Sequence, residues 1–425
     1  MPHALSRLHL NMSDIKINAF TGMNNVKDAE GLFVGKGVAQ PRIILNADVT
    51  DQGRIVRRDG FTEIAALTDG HSLWSGSTCI LVMDGTTLKR LDGDTLTTIE
   101  DLGGLSTTMY YAEVGDQVYF SNKYRNGIFD PEDNSVSDWG ITLPTGPVLS
   151  STSGSLDSGI YHVCFTQGSG DNISGNGPVS HITLSSTGGI SIGNRPTGAV
   201  VWCTDPNGDI FYRIGEVDTI VNIPSVEPLP SLFCSPPPYL EHLTHAFGRM
   251  WGARGNILYY SEPFRVDWWK LGQCYFEFAT DITLVAKTYT GLFVGCEDRT
   301  YSLLGTEPEK MQQTDVGAGA VPGTLVYCND IIELGDTISP PEKKHRSVPV
   351  WVSETGIVAG NPVGRLFSLS QGKVRFNPGS YGASLYRNRD GNFQYLTSFY
   401  KGSEDSGLGM SDDATIEVVR NGRVI

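Results

Sequence analysis

His242 and His245, in the stretch HLTH, are the closest pair among the eight histidines. On a helix, an i, i+3 pair shares one face and can grip a metal, but no acidic HExxH pattern accompanies these two. Other chemistry-bearing patterns are equally thin. No G-x-S-x-G elbow occurs. GLFVGKG (31–37) lacks the spacing and the Ser or Thr of a phosphate-binding P-loop. SVSDWG (135–140) has the residue types of a sialidase Asp-box turn at the wrong spacing. The 47 Asp and Glu residues leave a carboxylate pair for glycoside hydrolysis open, yet none is singled out. DGDT and DPEDNS read as turns rather than calcium loops. The expectation is no catalytic, cofactor-binding or metal site, and no enzyme.

The seven cysteines (79, 164, 203, 234, 274, 296 and 328) are odd in number, widely spaced and without a CxxC pair. Most lie in apolar runs such as TCILVM and HVCFT. They read as buried free thiols made in a reducing compartment, and zinc would need tighter ligand pairs. The net charge is −15 and the pI about 4.9. That argues against a protein that grips nucleic acid by its phosphates and favours solubility. No run of 18 apolar residues marks a membrane span, and MPHALSRLHLNMSDIKI has no apolar signal core.

Whatever these side chains do, short strands must hold them. The 50 glycines exceed the ~7% average and imply many turns. Runs of four to six strand-forming residues are separated by Gly, Asp, Asn or Pro. They recur as strand–turn–strand units at 53–67, 79–99, 117–140, 256–272, 291–311, 348–370, 391–400 and 414–425. Tyr239–Trp251 fits either an amphipathic helix or a β-pair around a turn. Small antiparallel sheets of this kind bury their faces by stacking around an axis. The expected fold is all-β: a propeller of about seven blades. Ile257–Tyr260 is its inner strand, Ser-Glu-Pro the turn, and Trp268 and Trp269 pack between adjacent sheets. Trp251 and Trp351 join them as structural residues. Residues 1–52 form an N-terminal arm, 53–140 the first part of the propeller and 231–425 the second. The C-terminal IEVVRNGRVI adds a strand to the first blade and so closes the ring.

Residues 141–230 break the rhythm between proline-rich joints. The segment YHVCF…GPVS resembles a fibronectin type III strand and its following turn, which implies an inserted β-sandwich. SPPP (235–238) reads as a stiff hinge back into the propeller rather than a polyproline ligand.

HLTHAFGRMWGARGNILYYSEPFRVDWW resembles a run common in bacteriophage virion proteins: R-x-W/Y-x-A, then G-N-x-L-x-x-S-E-P, then an aromatic pair. GLFVGCEDRTYSLLGTEPEKM and VSETGIVAGNPVGRLFSLSQGKV are similar to the units that follow it there. At the other end, Asn46, Asp48, Gly53, Arg57, Arg58 and Gly60 occupy the places of a family opening of the form G-m-n-n…n-v-d-v…G-x-l-x-r-R-p-G. The resemblance covers most of the chain outside the insertion. It implies a tail nozzle, tail hub or DNA-stabilisation protein, made in the host bacterial cytoplasm and located in the virion tail or neck. Such proteins form rings, often hexamers, below the portal and adaptor. The implied partners are copies of the chain, the head-to-tail adaptor or other tail proteins, tail fibres, and genomic DNA passing without sequence recognition. A receptor- or glycan-binding tail protein and a propeller glycosidase acting on host polysaccharide are the alternatives.

Overall fold

The structure is a computed structural model. It describes residues 16–50, 52–58, 60, 62–170, 172–328, 347–370, 372–375, 378–389, 392–399, 415–420 and 423–424. The chain is all-β, with many small antiparallel sheets, and divides into two compact units.

The first unit spans Glu63–Lys287 with Thr306–Lys310. It contains three four-stranded antiparallel meanders, at 70–101, 110–137 and 241–277. Four of their hairpins form where a glycine opens a two-residue loop. Gly85, Gly93, Gly115 and Gly255 have φ between +60° and +63°, while the residue after each keeps a negative φ. That is the type II′ turn, whose backbone twist matches the flanking strands. The Tyr239–Trp251 segment resolves as the β-pair. Glu241–Ala246 and Arg249–Arg254 join through Phe247 and Gly248, both at positive φ, as a type I′ turn requires. Leu240, Leu243, Met250 and Trp251 are all buried, and a bulge between Glu241 and Thr244 shifts the register of the pair.

Between the second and third meanders lie a three-stranded and a four-stranded sheet. The first pairs Gly188–Gly193 with Val148–Leu156 and Thr219–Ile220. The second runs Ser180–Leu184, Gly159–Thr166, Val200–Thr204, Phe211–Gly215. One core joins them: Leu156, Tyr161, Val163, Phe165, Leu184, Ile190, Ile192, Val201, Cys203 and Ile220. Alternation explains it, because the odd residues of 159–166 face this core while Cys164 faces a second cluster with Val200, Trp202 and Phe211.

The second unit holds Thr288–Gly305, the described residues up to Thr62 and those from Met311 onward. Gly291–Cys296, Arg299–Leu304 and Gln312–Ala318 form one meander. Two others lie at 326–368 and 382–424. Val348–Ser353 and Gly356–Gly360 are buried at every position, a strand pair covered on both faces. Residues 16–57 form a three-stranded sheet at 19–39 and a strand pair at 47–57. The C-terminal pairing differs from the expectation. Thr415–Arg420 pairs antiparallel with Asn392–Phe399 and completes the sheet of its own predecessors rather than adding to a first blade. The eight-residue strand Asn392–Phe399 offers an edge of matching length close in sequence, so joining it closes the shorter loop.

Candidate functional site

The stretch Ser261–Cys274 concentrates the unusual side-chain chemistry. Ser261 ends the strand Ile257–Tyr260, and its hydroxyl accepts the Met250 N–H at 3.0 Å. A tight turn follows, with Arg265 N–H donating to Glu262 O at 3.2 Å. Phe264, inside it, sits at φ +58° and is 86% exposed as a residue. A bulky residue in that region is strained, and the backbone bond from Phe264 N–H to Gly248 O, 2.6 Å, holds it there. The Arg265 guanidinium lies 3.7 Å from the centre of the Trp268 ring and pairs with Asp267 at 3.2 Å. Lys270 pairs with Glu262 at 3.1 Å. Burial pushes the Cys274 thiol up, with the Glu262 carboxylate adding to it.

The two tryptophans expected between adjacent sheets divide the work. Trp269 is fully buried between the 110–137 and 241–277 meanders, with Ala112, Tyr119, Leu240, Leu243 and Met250. It meets Trp139 edge-on at 6.0 Å, and both indoles donate to the Val266 carbonyl, at 2.9 and 3.0 Å. Trp268 instead packs on Ile173 and Cys234 and donates to the Ile173 carbonyl at 2.8 Å. It fastens the paired sheets of 148–220 to the 241–277 meander. Pro236 and Pro237 lie against Gly140, and Asn126 donates to Pro237 O at 3.1 Å, so SPPP is packed in place. Trp251 is buried beside Tyr260 and donates to Ala246 O at 3.1 Å. Trp351 is buried against Phe293, and its indole N–H has no hydrogen-bond partner.

His242 and His245 are not a ligand pair. A bulge between Glu241 and Thr244 turns His242 to φ +55°. Its ring is buried against Tyr110 at 4.5 Å, and burial pushes its pKa down to about 3. Burial and then Lys287 lower His245. Among the described residues no group of three or more His, Cys, Asp or Glu is arranged to hold a metal. All seven cysteines are buried and none is in a disulfide; burial raises Cys203 to about 12 and Cys234 to about 11, so those two thiols are inert.

Sequence reading missed one constellation. Ser106 Oγ lies 3.2 Å from His71 Nε2 and donates to Asp69 Oδ2 at 3.0 Å. The residue types are those of a hydrolytic triad, but the network fixes the wrong tautomer. Gly85 O, 2.9 Å from His71 Nε2, can only accept, so Nε2 carries the proton and donates to it. Nδ1 of that neutral tautomer then accepts from Ser72 Oγ at 2.7 Å, whose oxygen also accepts the Met109 N–H at 2.9 Å. Ser106 is left without a general base, and Asp69 touches the serine rather than the imidazole. No spacing rule in the sequence signals this cluster.

A cleft of about 620 Å³ is lined by Thr78, Val114, Asp116, Gln117, Asp130, Pro131 and Glu132. Asp130 accepts the Glu132 N–H at 2.9 Å and Gln117 Nε2 at 3.5 Å, so it serves its own turn. Nearby Glu113 is likewise tied to Ser77 and Thr78, and these bonds hold it below the usual range against the opposing effect of burial.

No protein-family model matches the sequence, and no curated protein matches it. Among solved structures, the chain is similar to BBS1N in complex with ARL6DN, at 11% identity and a TM-score of 0.32, over 80% of this chain and 93% of that one. It is similar to the computationally designed Ika8 protein, at 11% identity and a TM-score of 0.25, over 78% and 96%. Saccharomyces cerevisiae Sqt1 gives 9% identity and a TM-score of 0.21, over 71% and 99%. Likeness of this depth carries no functional argument.

Proposed function

We propose that the chain is a structural component of a bacteriophage tail, a nozzle or hub subunit. In this reading it forms a ring around the DNA-exit channel below the portal and adaptor. Its meanders are blades of a propeller of about seven, and the 148–220 sheets are a fibronectin-type sandwich that reaches a neighbour or a fibre. The observation that carries the reading is the coincidence of motif and element. GRMWGARGNILYYSEP is one hairpin and its exit turn, Arg249–Arg254 with Ile257–Tyr260. GLFVGCEDRTYSLLG is another, Gly291–Cys296 with Arg299–Leu304. VSETGIVAG belongs to a third, Val348–Ser353 with Gly356–Gly360. The resemblance to virion proteins is therefore distributed over successive structural units, as an inherited repeat scaffold requires.

The charge of −15 fits a wall that DNA passes without adhering. The firmly held and exposed Phe264 favours a second reading, in which this surface binds a receptor or glycan. Negative-stain electron microscopy separates them. Closed rings with an axial lumen, alone or on the portal–adaptor complex of the virion that carries the protein, are expected. Single particles that bind glycan arrays and never dock on the adaptor would overturn the conduit reading.

A further inference from the structure

Two further histidines, which sequence spacing does not bring together, face each other across a strand pair. His162 in Gly159–Thr166 is directly opposite His181 in Ser180–Leu184. The hydrogen-bonding phase of the ladder fixes how close they are. Even-numbered residues of 159–166 direct their backbone groups away from 180–184: His162 N–H donates to Thr204 Oγ1 at 3.0 Å, and Ile160 O accepts from Asn207 N. Odd-numbered Phe165 O instead accepts from Gly177 N, on the other side. His162 and His181 are thus a non-hydrogen-bonded pair, the narrow kind, with Cα atoms about 4.5 Å apart and side chains closest. Both lie on the face opposite the core that holds Tyr161, Val163, Ile182 and Leu184. Their ring centres are 6.2 Å apart, tilted by 48°. His181 is exposed and His162 half-buried.

We infer that His162 and His181 form a two-imidazole chelate for a late first-row divalent cation such as Zn²⁺. Imidazole nitrogens bind such ions at about 2.0–2.1 Å, which places the two donor atoms of a bidentate pair about 3 Å apart. Rotation about the side-chain torsions of an exposed ring covers the difference from the present separation. Two protein ligands leave the remaining positions to water. Affinity follows the order Ni²⁺ below Cu²⁺ and Cu²⁺ above Zn²⁺ that imidazole sites share.

The test is isothermal titration of the full chain with ZnCl₂, comparing wild type with His162→Gln, His181→Gln and the double variant. Circular dichroism of each variant confirms an intact fold. Other histidines give a weak background common to all four proteins. Above it, wild type is expected to bind one equivalent, and either single variant to lose at least about tenfold in affinity, because the second arm acts at high effective concentration. The double variant should match the singles, since either loss breaks the chelate. Independent additive losses, or single variants that bind as wild type does, would overturn the site. As a second readout, Zn²⁺ should raise the unfolding temperature of wild type more than that of His181→Gln; equal shifts would also count against it.

Discussion

Trp251 and Trp351 are both fully buried, yet only one has its polar atom satisfied. A buried donor without a partner costs about 1–3 kcal/mol. Trp351→Phe removes that donor, which offsets part of the cavity it leaves. Trp251→Phe loses a hydrogen bond in addition to volume. Denaturant unfolding should therefore find Trp251→Phe less stable than Trp351→Phe by about 1–3 kcal/mol; the reverse order would contradict the packing described. His242 gives the protein a pH response. Its folded pKa of about 3 lies below the ordinary value of 6.5. Between those two values the unfolded chain binds a proton that the folded chain cannot. Stability is thus complete above pH 6.5 and falls as pH drops, by at most about 1.4 kcal/mol per unit from this group. His245 is depressed as well and adds its share. Asp84, Asp101 and Asp133, held low by hydrogen bonds, act only at lower pH. Melting temperatures between pH 7 and 5 should fall less steeply in His242→Asn, a residue that tolerates the positive φ at this position. An unchanged slope would remove His242 from the account.

The elements were the most legible part of the sequence. The strand–turn–strand unit at 79–99 was readable because its polar, glycine-containing break falls between strand-forming runs, and Gly85 does open the turn there. The strand Ile257–Tyr260, its Ser-Glu-Pro stop and the burial of both following tryptophans were readable for the same reason. What Trp268 touches was not: its partner Ile173 is 95 positions away, and no periodicity encodes such a contact. The Ser106–His71 cluster and the His162–His181 pair were hidden likewise: a residue outside the strands meets His71 from 35 positions away, and strand pairing rather than spacing sets His162 opposite His181. The C-terminal strand was misplaced because its sequence specifies a strand but not which edge it joins. The junction that Trp268 fastens has a second exacting point at Gly175. A Cβ there would overlap the Cys234 carbonyl, which is backbone and cannot step aside. Gly175→Ala should cost about 3 kcal/mol, at the upper end of overpacking, measurable by chemical denaturation. A loss below ~0.5 kcal/mol, the scale of a neutral surface change, would mean that this close approach is not kept.

At the scale of the whole molecule, repeated meanders and a fastened pair of sheets suit a scaffold whose product is an assembly. Small sheets with short connections leave many loop tips and strand edges for neighbours, and on the proposed conduit reading the net charge of −15 would keep DNA from adhering. The aromatic bracket of Trp139, Trp268 and Trp269 packs the parts of the first unit together. Self-assembly is the property on which the conduit account stands. Mass photometry of the purified chain, alone and with the portal–adaptor complex, tests it most directly. The account predicts a discrete multiple of the 46.1 kDa subunit, or a defined increment on the adaptor equal to a whole ring. A species that stays at the subunit mass, and adds nothing to the adaptor, would contradict it.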